Sequence, residues 1–123
     1  MRKFVVPMAM AAASLLSSAA VAQQAAAPAP SPVTGNVTLD RSYRGGIILF
    51  DSASGGTITL PATLPAGFNV SVIQINAGQA TIAAGAGAVL QSQQSFTKTA
   101  GQWAMLGIVA YDVGSFVLVG NGA

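Results

Sequence analysis

The sequence predicts an all-β fold, either a small antiparallel β-sandwich of jelly-roll type or a barrel, built from seven or eight short strands. Three observations lead there. Short apolar or alternating segments recur at regular spacing, turn-forming Gly, Pro, Asn and Asp stand between them, and no stretch after the N-terminal region repeats at the helical period. Val37–Leu39 opens the series. Ile47–Phe50 is a short apolar run ahead of the turn-rich Asp51–Gly56. Thr57–Leu60 alternates with period two, as a strand with one buried face does. Pro61 and Pro65 then bracket a loop, because proline cannot donate to a central ladder. Asn69–Ile75 is the strongest strand signal, and its alternation changes parity between Val72 and Ile73, which predicts a bulge or burial on both faces. Asn76-Ala77-Gly78 turns the chain into Ala80–Ala83, and Gly85-Ala86-Gly87 separates that segment from Ala88–Gln91. Trp103–Tyr111 and Phe116–Val119 form a closing hairpin over Asp112–Ser115, with Gly114 free to take positive φ.

Ahead of this domain the chain reads as an export signal and a tether. Arg2 and Lys3 supply a positive start, Phe4–Leu16 an apolar stretch, and Ala20-Val21-Ala22 the small-x-small pattern that precedes cleavage, placing the cut between Ala22 and Gln23. A retained membrane anchor fits less well, because Pro7 interrupts the run and the apolar character decays short of the roughly 20 residues a span needs. The absence of cysteine excludes lipid attachment at a thiol. The expected location is therefore secreted, periplasmic or cell-surface, by Sec-type export, with no membrane span in the mature chain. Residues 23–36 are rich in Ala and Pro, with Pro28, Pro30 and Pro32 at alternate positions, and read as an extended linker. The β domain then covers residues 37–123.

Charge narrows the function classes. The precursor holds five basic and three acidic residues. Arg2 and Lys3 leave with the signal, so Arg41, Arg44 and Lys98 face Asp40, Asp51 and Asp112 and the mature chain is formally neutral. Such a chain has no electrostatic footprint for nucleic acid. Low charge also does little to keep copies apart, so a homo-oligomer is expected. Without cysteine there are no disulfides, and stability must come from the core or from surface buried between subunits.

Catalytic chemistry is poorly supplied. The sequence contains no His, Cys or Glu, which removes the usual general base, thiol nucleophiles and nearly all transition-metal ligand sets. Lys98 stands in a polar turn, and Asp40, Asp51 and Asp112 each adjoin turn residues where Asp caps backbone. No catalytic residue, metal site or cofactor is expected. Leu60-Pro61-Ala62-Thr63 resembles the start of a sortase signal but Leu64 replaces its glycine. Gly85-Ala86-Gly87 resembles a dinucleotide loop but no third glycine follows.

What remains is surface recognition. Tyr43, Trp103 and Tyr111 are candidate binding aromatics, since aromatic faces stack on sugar rings; the competing reading makes Trp103 part of the core. Gln93 and Gln94, with the serines around them, form an uncharged polar loop able to hydrogen-bond a glycan or simply to face solvent.

Thr57–Ala62, Leu64–Phe68, Val70–Gln74, Ala77–Gly85 and Lys98–Trp103 together are similar to a small β module found at the tips and C-terminal ends of phage tail fibres and other virion-derived surface proteins. The likeness covers residues 55–120. It implies a compact all-β module for attachment or assembly, often trimeric, with no catalytic residues; a glycan or cell-surface partner is the expectation drawn from the aromatics and the polar loop. An export signal departs from that family, whose members assemble in the cytoplasm. A fibre- or matrix-forming structural subunit is the second expectation, favoured by low charge and by exposed strand edges.

Overall fold

The computed structural model describes residues 29–123; the signal segment, its cleavage point and the start of the linker lie outside them. The chain is all-β, with strands β1 (Ser31–Val33), β2 (Val37–Thr38), β3 (Ile47–Phe50), β4 (Gly56–Leu60), β5 (Asn69–Gln74), β6 (Ala80–Ala84), β7 (Val89–Ser92), β8 (Met105–Asp112) and β9 (Ser115–Gly120). A 3-10 turn, Arg41–Tyr43, lies between β2 and β3, with the Asp40 carboxylate accepting from the Ser42 N–H at its start.

The antiparallel sandwich or barrel expected above is not what forms. Successive strands alternate between two sheets and stack in parallel on the strand two before them: β1, β3 and β5 in one sheet, β2, β4 and β6 in the other. This is a short β-solenoid. The physical reason is that each loop carries the chain across to the opposite sheet rather than back beside its predecessor, so the next partner is one full coil away. Ile47 lies beside Ser71 and Gly56 beside Ala80, an offset of 24 residues in both sheets. Antiparallel pairing enters with the C-terminal segments: β8 pairs with β5 and β9, and Lys98 and Gly122 make isolated bridges to Thr81 and Thr99. The β8–β9 hairpin inserts between β5 and β7, giving the larger sheet the order β1-β3-β5-β8-β9-β7. Its two-residue loop is Val113-Gly114, and Gly114 takes φ +68° as a hairpin of this length requires.

β1 lies within the stretch read as linker. A proline is tolerated there because β1 is an edge strand: the Asp51 N–H donates to the Val33 carbonyl at 2.8 Å, which fixes the strand's parity and points the Pro32 nitrogen away from β3. No bulge occurs in β5. Val70 and Val72 point inward and so does Gln74, which is fully buried, while Ile73 faces outward. The irregularity lies instead between Ala110 and Asp112 of β8.

The core fills the space between the sheets. Ile48, Phe50, Val72, Leu106, Ile108, Phe116 and Leu118 from the larger sheet meet Leu39, Ile58, Leu60 and Ile82 from the smaller, with Leu64 and Phe68 closing one end. One polar cluster crosses it. The Thr99 hydroxyl donates to Gln74 Oε1 and accepts from the Ala80 N–H at 2.9 Å, and Gln74 Nε2 donates to the Asn76 carbonyl at 2.8 Å. Thr99 belongs to an extended segment that seals the outer edge of β6: the Ile82 N–H donates to the Thr97 carbonyl and the Thr99 N–H to the Ala80 carbonyl. The last residues then pair with that segment, through Lys98 and Ala123. Burying Gln74 without these partners would cost more than the hydrogen bonds return, so the cluster fixes where the cap sits.

Candidate functional site

The two outward faces of the solenoid differ in chemistry. On the smaller sheet, Thr57 stands beside Thr81 and Thr59 beside Ala83 and Thr38, a surface of hydroxyls and methyls. On the larger sheet the register assembles apolar rows. Leu49, Ile73 and Met105 lie side by side across β3, β5 and β8. Val109 of β8 pairs with Val117 of β9, and Gly107 with Val119. Ile47, Val89, Met105, Val109, Val119 and Tyr111 are all exposed, and Leu49, Ile73 and Val117 are half-buried. Within these six strands Asp112, at the hairpin end, is the only charged residue.

The alternation of β-strands explains how this came about. Outward positions of a one-sided sheet are ordinarily polar, yet here both parities of β3, β8 and β9 carry aliphatic residues. Six strands at about 4.8 Å and some five residues at about 3.3 Å give a face roughly 29 Å by 17 Å. In outline that is about 500 Å², with Asn69, Ser71, Gln91 and Ser115 among its outward positions, comparable to the largest apolar patch of a typical monomer, which is often functional.

The sequence-derived binding residues are dispersed. Trp103 is 69% exposed, so it is not core; it sits in the turn before β8 with φ +71°, and its N–H donates to the Gln74 carbonyl at 2.6 Å. Tyr111 is exposed near the far end of β8, roughly 25 Å away by strand rise. The two aromatics therefore do not form one stacking platform, although both flank the apolar face. Tyr43 is half-buried against the core beside β3. Gln93 and Gln94 follow β7 and, with Phe96, Leu118, Val119 and Gly120, line a shallow cavity of about 230 Å³. Sequence reasoning missed the apolar face. Its signal was present in Ile73, whose place in the alternation marks an outward aliphatic residue beside the buried Gln74.

Among the described residues no three metal-ligating side chains come together, and no helix is long and apolar enough to cross a membrane. Hydrogen bonds from the Ser42 hydroxyl and then the Ser42 N–H hold the Asp40 carboxyl below the ordinary carboxylate value. No protein-family model, curated protein or solved structure matches this chain.

Proposed function

We propose that the chain is an exported, non-enzymatic β module that works by surface contact, and that copies of it assemble through the outward face of the larger sheet. The observation that carries this reading is the apolar face itself, uncharged except at its rim and set opposite a threonine-bearing face on the same small body. A second copy is the occupant that fits. An apolar, uncharged face offers nothing to steer or pair a charged partner. Two such faces meeting bury about 1,000 Å² together, the lower bound for a specific interface. The likeness to phage tail-fibre modules agrees with an assembly or attachment role, and the N-terminal signal supports an extracytoplasmic site of action.

The fibre-forming alternative requires strand addition at the solenoid's ends. At the β1 end Pro32 occupies the only outward-facing position of that edge strand and offers no N–H, which disfavours growth of the larger sheet there. The test is light scattering after size exclusion on the full chain and on the double variant Met105→Lys, Val109→Lys. Both positions are exposed on central strand β8, so the fold tolerates the change. The wild type runs as a discrete oligomer and the variant as a smaller species with the same circular dichroism. Equal masses would remove the face from the account.

A further inference from the structure

The two edges of the larger sheet are chemically unequal. Along β1 only Pro32 has its backbone turned outward, and it lacks a donor. Along β7 the Val89 N–H donates to the Gly114 carbonyl at 2.9 Å, so Val89 and Gln91 point their backbone at β9 while Leu90 and Ser92 point theirs at the open edge. Local turns consume part of that edge. The Ala88 N–H donates to the Gly85 carbonyl at 3.0 Å, and the Ser92 carbonyl accepts from the Ser95 N–H at 3.2 Å. Among the described residues this leaves two outward donors, the N–H groups of Leu90 and Ser92, and two outward acceptors, the carbonyls of Ala88 and Leu90.

Those four groups are self-complementary. We propose that β7 pairs antiparallel with β7 of a second copy about a twofold axis through Leu90, joining the two larger sheets into one. In that register each Leu90 N–H meets the other copy's Leu90 carbonyl, and each Ser92 N–H meets the other copy's Ala88 carbonyl. Four hydrogen bonds form. The Ala88 N–H and Ser92 carbonyl, which the register would leave facing each other, are the two groups already held in turns. The side chains agree with the backbone. A cavity of about 320 Å³ lies along this edge, lined by Leu90, Gln91, Ser92, Ser95, Phe96 and Thr97. Leu90 and Phe96 are half-buried there, and the inward-facing Leu90 of the second copy supplies the apolar group that meets them. On the outer side Val89 stands across from Gln91, with no charge on either strand. Twofold pairing closes on itself, whereas head-to-tail addition would need a donor at the β1 edge.

This inference rests on the self-assembly reading but uses a different surface, and the two are separable. Amide hydrogen exchange on the full chain is followed by NMR across a protein-concentration series, alongside sedimentation velocity of Leu90→Pro and Leu90→Val. Leu90→Pro removes the outward donor without touching the β7–β9 ladder. The expected result is protection of the Leu90 and Ser92 amides that rises with concentration. Leu90→Pro then lowers the association constant by about tenfold or more, as loss of two hydrogen bonds dictates, while Leu90→Val preserves it. Unprotected Leu90 and Ser92 amides in a chain that associates overturn the edge pairing and leave the face reading standing. Protected amides with association indifferent to Met105→Lys, Val109→Lys keep the edge and remove the face. A monomer at all concentrations removes both.

Discussion

Replacing Thr99 with valine tests how the C-terminal cap is held. Valine matches threonine in volume, so no cavity opens, and the change isolates the hydroxyl. That hydroxyl donates to Gln74 Oε1 and accepts from the Ala80 N–H, and both Gln74 and Ala80 are fully buried. Each orphaned group carries a desolvation penalty of about 1–3 kcal/mol, so Thr99→Val costs about 2–6 kcal/mol. A domain of this size is stable by about 5–14 kcal/mol in total, and the variant becomes marginal. The assay is urea unfolding followed by far-ultraviolet circular dichroism at fixed low protein concentration. Trp103 is too exposed to report on the core by fluorescence. In a Gln74→Leu background only the Ala80 N–H is orphaned, so Thr99→Val costs about half as much there. A loss under about 1 kcal/mol with an unchanged denaturant slope, or no coupling between the sites, would refute the claim that this cluster secures the cap.

Three further outcomes follow from the geometry. Gly78→Ala destabilises by about 3 kcal/mol or more in the same urea assay, because its Cβ would lie 2.1 Å from the Gly55 nitrogen and 2.4 Å from the Ser52 carbonyl oxygen. Trp103→Gly raises Tm, since glycine relieves about 1–2 kcal/mol of left-handed strain at φ +71° and little burial is lost; the same residue changed to alanine and screened on a glycan array tests whether the exposed indole binds sugar. A carboxyl ¹³C titration finds Asp40 ionising below the ordinary carboxylate value, and Ser42→Ala returns it upward. The sign is that of a depressed acid: its contribution to folding is present above the unfolded-state value and is lost as pH falls through the folded one.

The positions of the strands were legible in the sequence because turn residues and apolar runs are local signals. Val37, Ile47–Phe50, Thr57–Leu60 and the Gly114 hairpin all lie where the pattern puts them. Partnership was not legible, because short alternating strands look the same whether the next one folds back beside them or crosses to another sheet. A clue existed at the 24-residue offset, where Ala53, Thr57, Ile58 and Ala62 recur as Ala77, Thr81, Ile82 and Ala86. Two matched coils are few, and the β8–β9 hairpin breaks the series before a third repeat. β1 was hidden by Pro32 and the prolines before it, which composition assigns to a tether; within the strand Pro32 is accommodated by its edge position. The candidate surface was hidden for a related reason: outward Ile73, Val109 and Val119 read as core until the register shows that Val72, Ile108 and Leu118 already fill it. Trp103 admits two readings from sequence, binding aromatic or core, because local pattern does not place an indole; its left-handed backbone sits in a turn that leaves the side chain exposed, against the core reading.

Assembly through the larger sheet's outward face is decided by light scattering of the full chain over a hundredfold concentration range. A discrete oligomer of fixed mass forms, and Met105→Lys, Val109→Lys reduces it. A chain that stays monomeric throughout, or whose mass climbs without limit as concentration rises, would contradict that assembly.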